Sequence, residues 1–252
     1  MKLILSGCNG RMGRVITAMC AARDDMQIVA GVDALADKLA DYPVYRDIHE
    51  FTGEADCVID FSNPAALESL LAYCTDHKTP VVLATTGYSA EQLKAVDEAA
   101  KQIPVFRSAN MSLGVNVLLQ LVKTAASILD ESYNIEIVEH HHNQKLDAPS
   151  GTALMIADAA ASARENSKYV YERHSVRQKR DVSEIGISSV RGGTIVGIHE
   201  TYFAGHDEIL EIKHTAMSRE IFANGAIKAA AYLGKLTAPG LYSMADLVNE
   251  MI

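Results

Sequence analysis

The chain concentrates proton donors and cations in residues 139–152, which read Glu-His-His-His-Asn-Gln-Lys-Leu-Asp-Ala-Pro-Ser-Gly-Thr. A histidine titrates near neutral pH and can release a proton in a transition state. Lys145 adds a fixed cation or a second donor. Ser150, Gly151 and Thr152 open a predicted helix, so that their N–H groups and hydroxyls can hold a carboxylate. This segment, which we call the histidine loop, has the parts for acid–base chemistry on an anion.

Two other interpretations of the histidine loop stay open at this point. Metal binding would use His140, His141 and His142, but contiguous imidazoles point in different directions and no H-x-x-x-H pair is present, so we predict no metal. A polar loop without chemistry is the second alternative. Further basic residues lie downstream, and their spacing does not show whether they converge: Arg191, His199, His214 and Arg219.

A glycine-rich turn near the N-terminus has the context of a dinucleotide-binding loop. Gly7, Gly10 and Gly13 follow an apolar strand and open a helix, in a G-x-x-G-x-x-G spacing. Glycines let the backbone approach a pyrophosphate, and the helix N-terminus offers free N–H groups. A tight turn without a ligand is the alternative. Asp33 favours the dinucleotide, because it ends the second strand where a carboxylate can accept bonds from an adenosine ribose.

The residues around Asp33 bear on the choice between NADH and NADPH. Ala34 follows, so no adjacent arginine is present to pair with a 2′-phosphate. The carboxylate would repel that phosphate, which favours NADH on charge alone, although Arg11 and Arg14 are possible substitutes. Two more loops leave the ends of predicted strands where ligands of open α/β sheets bind: residues 84–87 and residues 108–111.

These motifs need a fold that brings strand ends together. Short apolar strands alternate with helices as far as residue 107, which predicts a Rossmann-type parallel sheet. Later segments at 184–190, 194–203 and 208–214 read as strands joined by short glycine turns, which predicts an α+β domain with a mostly antiparallel sheet. We expect the dinucleotide-binding domain to comprise residues 1–111 and 219–252, and a substrate-binding and oligomerisation domain to comprise residues 112–218. Polar residues 165–183 predict a surface loop.

Composition limits the class of protein. The chain has 252 residues, 48% hydrophobic residues and a formal net charge of −9. The negative charge argues against nucleic acid and acidic membranes as partners, because both need clustered cations. No apolar run approaches the ~18 residues of a membrane span, and no secretory leader is recognisable. Four cysteines without a C-x-x-C pair fit a reducing compartment, so we predict a cytoplasmic protein.

The motifs together resemble the 4-hydroxy-tetrahydrodipicolinate reductase family, also called dihydrodipicolinate reductase. They span nearly the whole chain in order, and the histidine loop is the most specific of them. One departure concerns Asp33 and Ala34, where many members of the family have a Glu-Arg pair or a similar one. The matching segments are residues 7–13, 84–87, 108–111, 139–153, 189–193, 197–199 and 240–244.

The resemblance implies NADH- or NADPH-dependent reduction of a cyclic dicarboxylate imine to tetrahydrodipicolinate in diaminopimelate and lysine biosynthesis, by a homotetramer. It implies that His141 donates a proton and that Lys145 is a second donor or stabilises charge. Residues expected to bind the substrate are His142, Ser150, Gly151 and Thr152. Residues expected to bind the cofactor are Gly7, Cys8, Asn9, Gly10, Arg11, Met12, Asp33, Ala84, Thr85, Thr86, Ser108, Ala109, Asn110 and Met111.

Two other functions remain possible from the sequence. One is a different two-domain nicotinamide oxidoreductase that acts on an aldehyde or a sugar and would not need Lys145 or the turn at residues 150–152. An acylating aldehyde dehydrogenase is disfavoured, because the second domain offers no cysteine nucleophile. The other is a nucleotide-sensing protein without catalysis, against which the complete histidine loop argues.

Overall fold

A computed structural model of the chain describes residues 1–251 and contains twelve strands and seven α-helices within them. The strands are β1 Lys2–Ser6, β2 Gln27–Val32, β3 Val44–Tyr45, β4 Cys57–Asp60, β5 Val81–Leu83, β6 Pro104–Arg107, β7 Asn134–His141, β8 Lys168–Val170, β9 Glu184–Arg191, β10 Gly197–Ala204, β11 Ile209–Ala216 and β12 Gly240–Tyr242. The helices are α1 Arg11–Ala21, α2 Leu67–Asp76, α3 Ala90–Ala100, α4 Leu113–Ile128, α5 Gly151–Ala161, α6 Glu220–Leu233 and α7 Met244–Glu250.

The chain forms two compact units. One comprises Met1–Ser112 with Glu220–Ile252, described here through Met251, and the other comprises Leu113–Arg219. We call them the first and the second unit. No helix in the described part of the chain is long and apolar enough to span a membrane.

The first unit is built on a seven-stranded sheet in the order β12-β6-β5-β4-β1-β2-β3, in which every pair is parallel. Its central strands β4 and β5 are buried along their whole length, as expected for parallel strands with helices on both faces. Side chains of α2 and α3 share one core with Ile4, Val58 and Val81. The predicted Rossmann-type sheet is confirmed, and it also contains β3 and β12, two short strands that were not predicted.

The second unit contains a five-stranded sheet in the order β11-β10-β7-β9-β8. Strands β7 and β10 alternate between buried and partly exposed residues, because α4 and α5 pack against one face. Two strand pairs are antiparallel, β10 with β11 and with β7, while β9 pairs in parallel with β7 and β8. The sheet is therefore mixed, and the expectation of a mostly antiparallel one is wrong.

The error has a specific cause in the connection between β9 and β10. We expected residues 184–190 and 194–203 to form a hairpin about Gly192 and Gly193, but β7 lies between them. Gly192 N–H donates to His141 O at 2.9 Å, and Asn143 N–H donates to Gly193 O at 3.2 Å. The glycine turn therefore crosses the end of β7 and bonds to it. Gly192 and Gly193 therefore belong to a connection that carries the chain from β9 past the end of β7 to β10, next to the histidine loop.

The segment at residues 165–183 is also more ordered than a surface loop. It contributes β8 to the edge of the sheet, and two of its arginines reach back to β7. Arg173 pairs with Glu136 at 2.8 Å and with Glu184 at 2.5 Å. Arg180 Nη2 donates to the carbonyl of Glu184 at 2.6 Å. These contacts fasten the segment to β7 and β9.

Candidate active site

The glycine turn after β1 has a backbone that side chains would block. Gly7 has φ +76°, and a Cβ there would stand 2.4 Å from Phe61 O. A Cβ on Gly13 would stand 2.2 Å from Gly7 O. Gly10 caps α1 without any side-chain hydrogen bond, so the first turn of the helix keeps N–H groups for an anion. The turn fits the pyrophosphate of a dinucleotide.

The other residues predicted in this turn differ in exposure and in side-chain chemistry. Arg11 is exposed and Met12 partly so, at the start of α1. Burial and the nearby charge of Asp33 raise the pKa of the Cys8 thiol to about 11, so this cysteine is an inert part of the loop.

Asp33 is held at the end of β2 by two backbone donors. Its carboxylate accepts from Asn9 N–H at 3.0 Å and from Leu35 N–H at 3.1 Å. The side chain of Asn9 donates in turn to Leu35 O at 2.8 Å. The carboxylate is thus fixed against the glycine turn, with lone pairs left over for a ribose hydroxyl.

A cleft of about 360 Å³ joins these features. It lies at the carboxyl ends of β1 and β4, between which the strand order reverses, and open α/β sheets bind ligands at such a switch point. Arg46, which no motif in the sequence marks, also enters the cleft just after β3. Its signal was weak, because β3 has only two residues. The lining residues are Ser6, Gly7, Gly10, Val32, Asp33, Ala34, Arg46, Phe61, Ser62, Asn63 and Ala66.

The two remaining predicted loops follow β5 and β6, also at the carboxyl edge of the parallel sheet. Ala84 and Thr85 are partly exposed and Thr86 is exposed. In residues 108–111, Ser108, Ala109 and Asn110 are at least partly exposed and Met111 is buried. Asn110 Oδ1 accepts from Ser112 N–H at 2.8 Å, which shapes that loop. The residues predicted to bind a cofactor therefore all lie in loops or at the start of α1, at one edge of this sheet.

In the second unit, the alternation of β7 separates the three histidines. His141 is buried on the same face as Glu139, while His140 and His142 lie off that face. His140 lies 3.6 Å from a carboxylate oxygen of Glu200, and His142 Nε2 lies 3.5 Å from Arg219 Nη2. Within residues 1–251, no three His, Cys, Asp or Glu side chains are grouped so that they could hold a metal ion.

Glu139 is the centre of a buried network on β7. Its fully buried carboxylate accepts from His141 Nδ1 at 2.5 Å and from both Nη atoms of Arg191, at 2.7 and 2.8 Å. Burial alone would raise the pKa of Glu139, but the bonds from Arg191 and His141 lower it to about 2. For His141, burial lowers the pKa, and Glu139 partly opposes that effect. Glu139 is therefore charged at neutral pH.

Lys145 and the start of α5 lie around this network. Lys145 Nζ pairs with Asp147 at 2.8 Å, and its positive charge helps to lower the pKa of His141. Ser150 is buried, and its hydroxyl accepts from Ala153 N–H at 3.2 Å as the cap of α5. Gly151 is exposed, with open space where a Cβ would stand.

The structure brings two members of the downstream basic set into this network. Arg191 binds Glu139, and His199 Nε2 lies 2.9 Å from the hydroxyl of Ser150. The rings of His141 and His199 meet edge to face at 5.2 Å between centroids. Burial, and next the charge of His141, lower the pKa of His199 to about 4, so His199 is neutral at physiological pH. Spacing in the sequence could not reveal this convergence, because the residues lie on different strands.

Two family models match nearly the whole chain. The model for the N-terminus of dihydrodipicolinate reductase matches residues 1–111, and the model for its C-terminus matches residues 114–248. The chain belongs to the dihydrodipicolinate reductase family. The two models meet where the first unit passes into the second, yet the C-terminal match also includes α6 and β12, which pack in the first unit.

Relatives within the family match over almost their whole length. The 4-hydroxy-tetrahydrodipicolinate reductase of Caldanaerobacter subterraneus subsp. tengcongensis is 54% identical, with 99% of each chain covered. That of Clostridium tetani is 49% identical, with 99% of this chain and 98% of the relative covered. A dipicolinate-bound dihydrodipicolinate reductase from Paenisporosarcina sp. TG-14 has the same fold, with a TM-score of 0.81 at 24% identity over 96% of this chain and 97% of that one.

Proposed function

We propose that this chain reduces 4-hydroxy-tetrahydrodipicolinate to tetrahydrodipicolinate with NADH or NADPH, a step in diaminopimelate and lysine biosynthesis. Membership of the reductase family and full-length relatives of that name support the assignment. The observation that carries it is the buried Glu139–His141 pair beside Lys145 and the start of α5. These groups suit a substrate that needs a proton and carries two carboxylates.

A nicotinamide cofactor supplies the hydride for such a reduction when it is bound. We assign its pyrophosphate to the backbone of Gly7 to Met12 and its adenosine ribose to Asp33. We assign its nicotinamide end to Ala84, Thr85 and Thr86 and to residues 108–111. The glycine geometry and the cleft at the switch point support this assignment. The negative charge of Asp33 favours NADH, whereas Arg46 in the same cleft offers a cation for the phosphate of NADPH.

His141 is assigned as the proton donor. Its Nδ1 is engaged by Glu139, so Nε2 is the nitrogen that can deliver a proton to the ring carbon next to the one that receives the hydride. A bound dicarboxylate brings two negative charges, which raise the pKa of a nearby imidazole and favour its protonated form. Lys145 serves as a second donor or stabilises the developing charge. The reaction takes up one hydride and one proton, and the 4-hydroxyl group of the substrate leaves as water.

The substrate carboxylates are assigned to His142 and to the N–H groups of Gly151 and Thr152 at the start of α5. Ser150 was expected to join them, but its N–H donates to Glu139 and its hydroxyl engages Ala153 and His199. Ser150 therefore holds the turn in place, and we assign it to positioning.

The test is a coupled assay with purified protein. Oxidation of NADH or NADPH should require that the cyclic imine be generated enzymatically in the cuvette. Aldehydes and sugars serve as control substrates, because the alternative oxidoreductase would use them. Turnover with these substrates and none with the imine would refute the proposal.

We also propose a cytoplasmic homotetramer. The four cysteines of the chain are all buried and unpaired, which suits a reducing compartment. In the second unit, Ile209, Leu210 and Val190 leave apolar surface exposed on the strands, which suits burial against other copies. Sedimentation equilibrium should give four times the chain mass of 27.3 kDa. A monomer at micromolar concentration would contradict this.

A further inference from the structure

The Glu139 carboxylate bonds to both the assigned proton donor and the turn assigned to hold the substrate. It accepts from His141 Nδ1 at 2.5 Å and from Ser150 N–H at 3.1 Å. Ser150 is eleven residues away in the chain and caps α5. A single buried anion therefore sets the distance between the donor imidazole and the N-terminus of α5.

Arg191 helps to keep this anion charged and in place. Its two Nη atoms bind the two oxygens of Glu139 in a fork, and Nη2 also donates to Asp147 O at 2.7 Å. The carboxylate of Asp147 pairs with Lys145, so Arg191 is also linked through Asp147 to the second assigned donor. Burial disfavours the charge of the Glu139 carboxylate, and the bonds from His141, from Ser150 and from the bidentate guanidinium together keep it ionised.

We propose that Glu139 is a positioning residue of the active site, with Arg191 as its counter-ion. This inference rests on the proposed function. Glu139 fixes the proton of His141 on Nδ1, so Nε2 points to the remaining space, and it stabilises the imidazolium that donates. The space beside Nε2 exists because residue 197 is glycine: a Cβ on Gly197 would stand 3.1 Å from that nitrogen.

Charged and titratable groups face His141 from each neighbouring element. Glu139 lies on its own strand, Arg191 on β9, and Lys145 in the loop that follows β7. His199 lies on β10 and is neutral, and His214 on β11 is paired in register with His199. Glu139 is the only anion among these groups in the described residues, so its removal and the removal of Arg191 should move the pKa of His141 in opposite directions.

The experiment compares Glu139→Gln, Arg191→Gln and the double variant, using pH profiles of kcat/KM. Because the acid must be protonated, activity falls as pH rises through its pKa. Glu139→Gln should lower kcat by about 10- to 1000-fold. It should also move this falling limb of the pH profile to lower pH by roughly one unit. Arg191→Gln removes a positive charge beside His141, while the bonds from His141 and Ser150 still hold the Glu139 carboxylate, so it should move the limb up. The KM for the cofactor should stay unchanged in each.

Glu136→Gln is the matched control. Glu136 lies on β7, as Glu139 does, but on the face opposite His141, and its carboxylate pairs with Arg173. This variant should leave kcat and the pH limb unchanged. If Glu139→Gln does not fold, the double variant replaces it, because it leaves no unpaired buried charge. The double variant should remain slow, with its limb below that of Arg191→Gln.

NMR titration of the His141 ring separates this inference from the proposed function, because it needs no turnover. The ring pKa should fall in Glu139→Gln and rise in Arg191→Gln even if the imine proves not to be the substrate. The positioning role would be overturned if the pH limb and the ring pKa of His141 moved in the same direction in Glu139→Gln and Arg191→Gln. It would also be overturned if they moved in neither variant. Full activity of Glu139→Gln would overturn it as well.

Discussion

Replacement of Arg46 by alanine should shift the cofactor preference toward NADH. Arg46 lines the cleft that also contains Asp33 and Ala34, and within residues 1–251 no hydrogen bond or ion pair engages its guanidinium. A free cation beside a fixed carboxylate is suited to a 2′-phosphate on the ribose that Asp33 would bind. NADH has no phosphate at that position, so its binding should not depend on Arg46.

The magnitude follows from the exposure of the side chain. A hydrogen bond between charged groups contributes about 1.5–3 kcal/mol, and an exposed, salt-screened site reduces this to ~1–2 kcal/mol. At 1.4 kcal/mol per factor of ten, the KM for NADPH should rise about 5- to 30-fold. The repulsion between Asp33 and the phosphate, which Arg46 no longer offsets, adds to the effect.

The assay is steady-state oxidation of NADH and of NADPH by wild type and variant, at about 0.05 M and about 0.5 M salt. The difference between the two proteins should shrink at the higher salt concentration. Lys94→Ala removes an equal charge from an exposed position on α3, outside the cleft, and should leave both KM values unchanged. An equal rise in both KM values would refute the reasoning, because Arg46 would then bind a part that the two cofactors share.

Three further predictions test other parts of the structure. His141→Ala should lower kcat by about two to four decades, with the dissociation constant of NADH unchanged in a fluorescence titration; an equal loss of cofactor binding would contradict its assignment as proton donor. Burial, the largest cause, lowers the pKa of His199 from 6.5 to about 4, so the unfolded chain binds more protons between these values and stability must fall as the pH drops. Urea unfolding should show a loss on the order of 2 kcal/mol between pH 7 and 4.5. His199→Gln should weaken this pH dependence of the free energy of unfolding. The same pH dependence in variant and wild type would contradict the role of His199. Gly13→Ala places a Cβ 2.2 Å from Gly7 O, so it should cost ~1–3 kcal/mol of stability and weaken NADH binding. Urea unfolding and the NADH fluorescence titration measure these two effects, and wild-type values in both would contradict the prediction.

The chemistry of individual segments was readable from the sequence because their signals are local. The glycine spacing before α1 and the position of Asp33 after β2 predicted a dinucleotide loop, and the structure places both at one cleft. The order of residues in the histidine loop indicated the family, which the family models confirm. Apolar runs of strand length also predicted the Rossmann-type sheet correctly. Each signal depends on neighbours a few residues apart.

The pairing of distant strands was decided only by the tertiary structure. The insertion of β7 between β9 and β10 turned an expected hairpin into a crossover and placed Arg191 beside His141. That register gives Glu139 its counter-ion, and the other neighbour of β7 brings in His199. Sequence spacing could not show these contacts, because residues about fifty positions apart meet only through the strand order of the folded sheet.

The sequence by itself therefore determined which chemical groups this protein has and which family it belongs to. The tertiary structure decided which of these groups act together: Glu139 with His141, Ser150 with Glu139, and Arg46 with Asp33. The physical reason is that turns, caps and alternation follow from short-range sterics and hydrogen bonds. The environment of a buried charge depends instead on the packing of the whole unit.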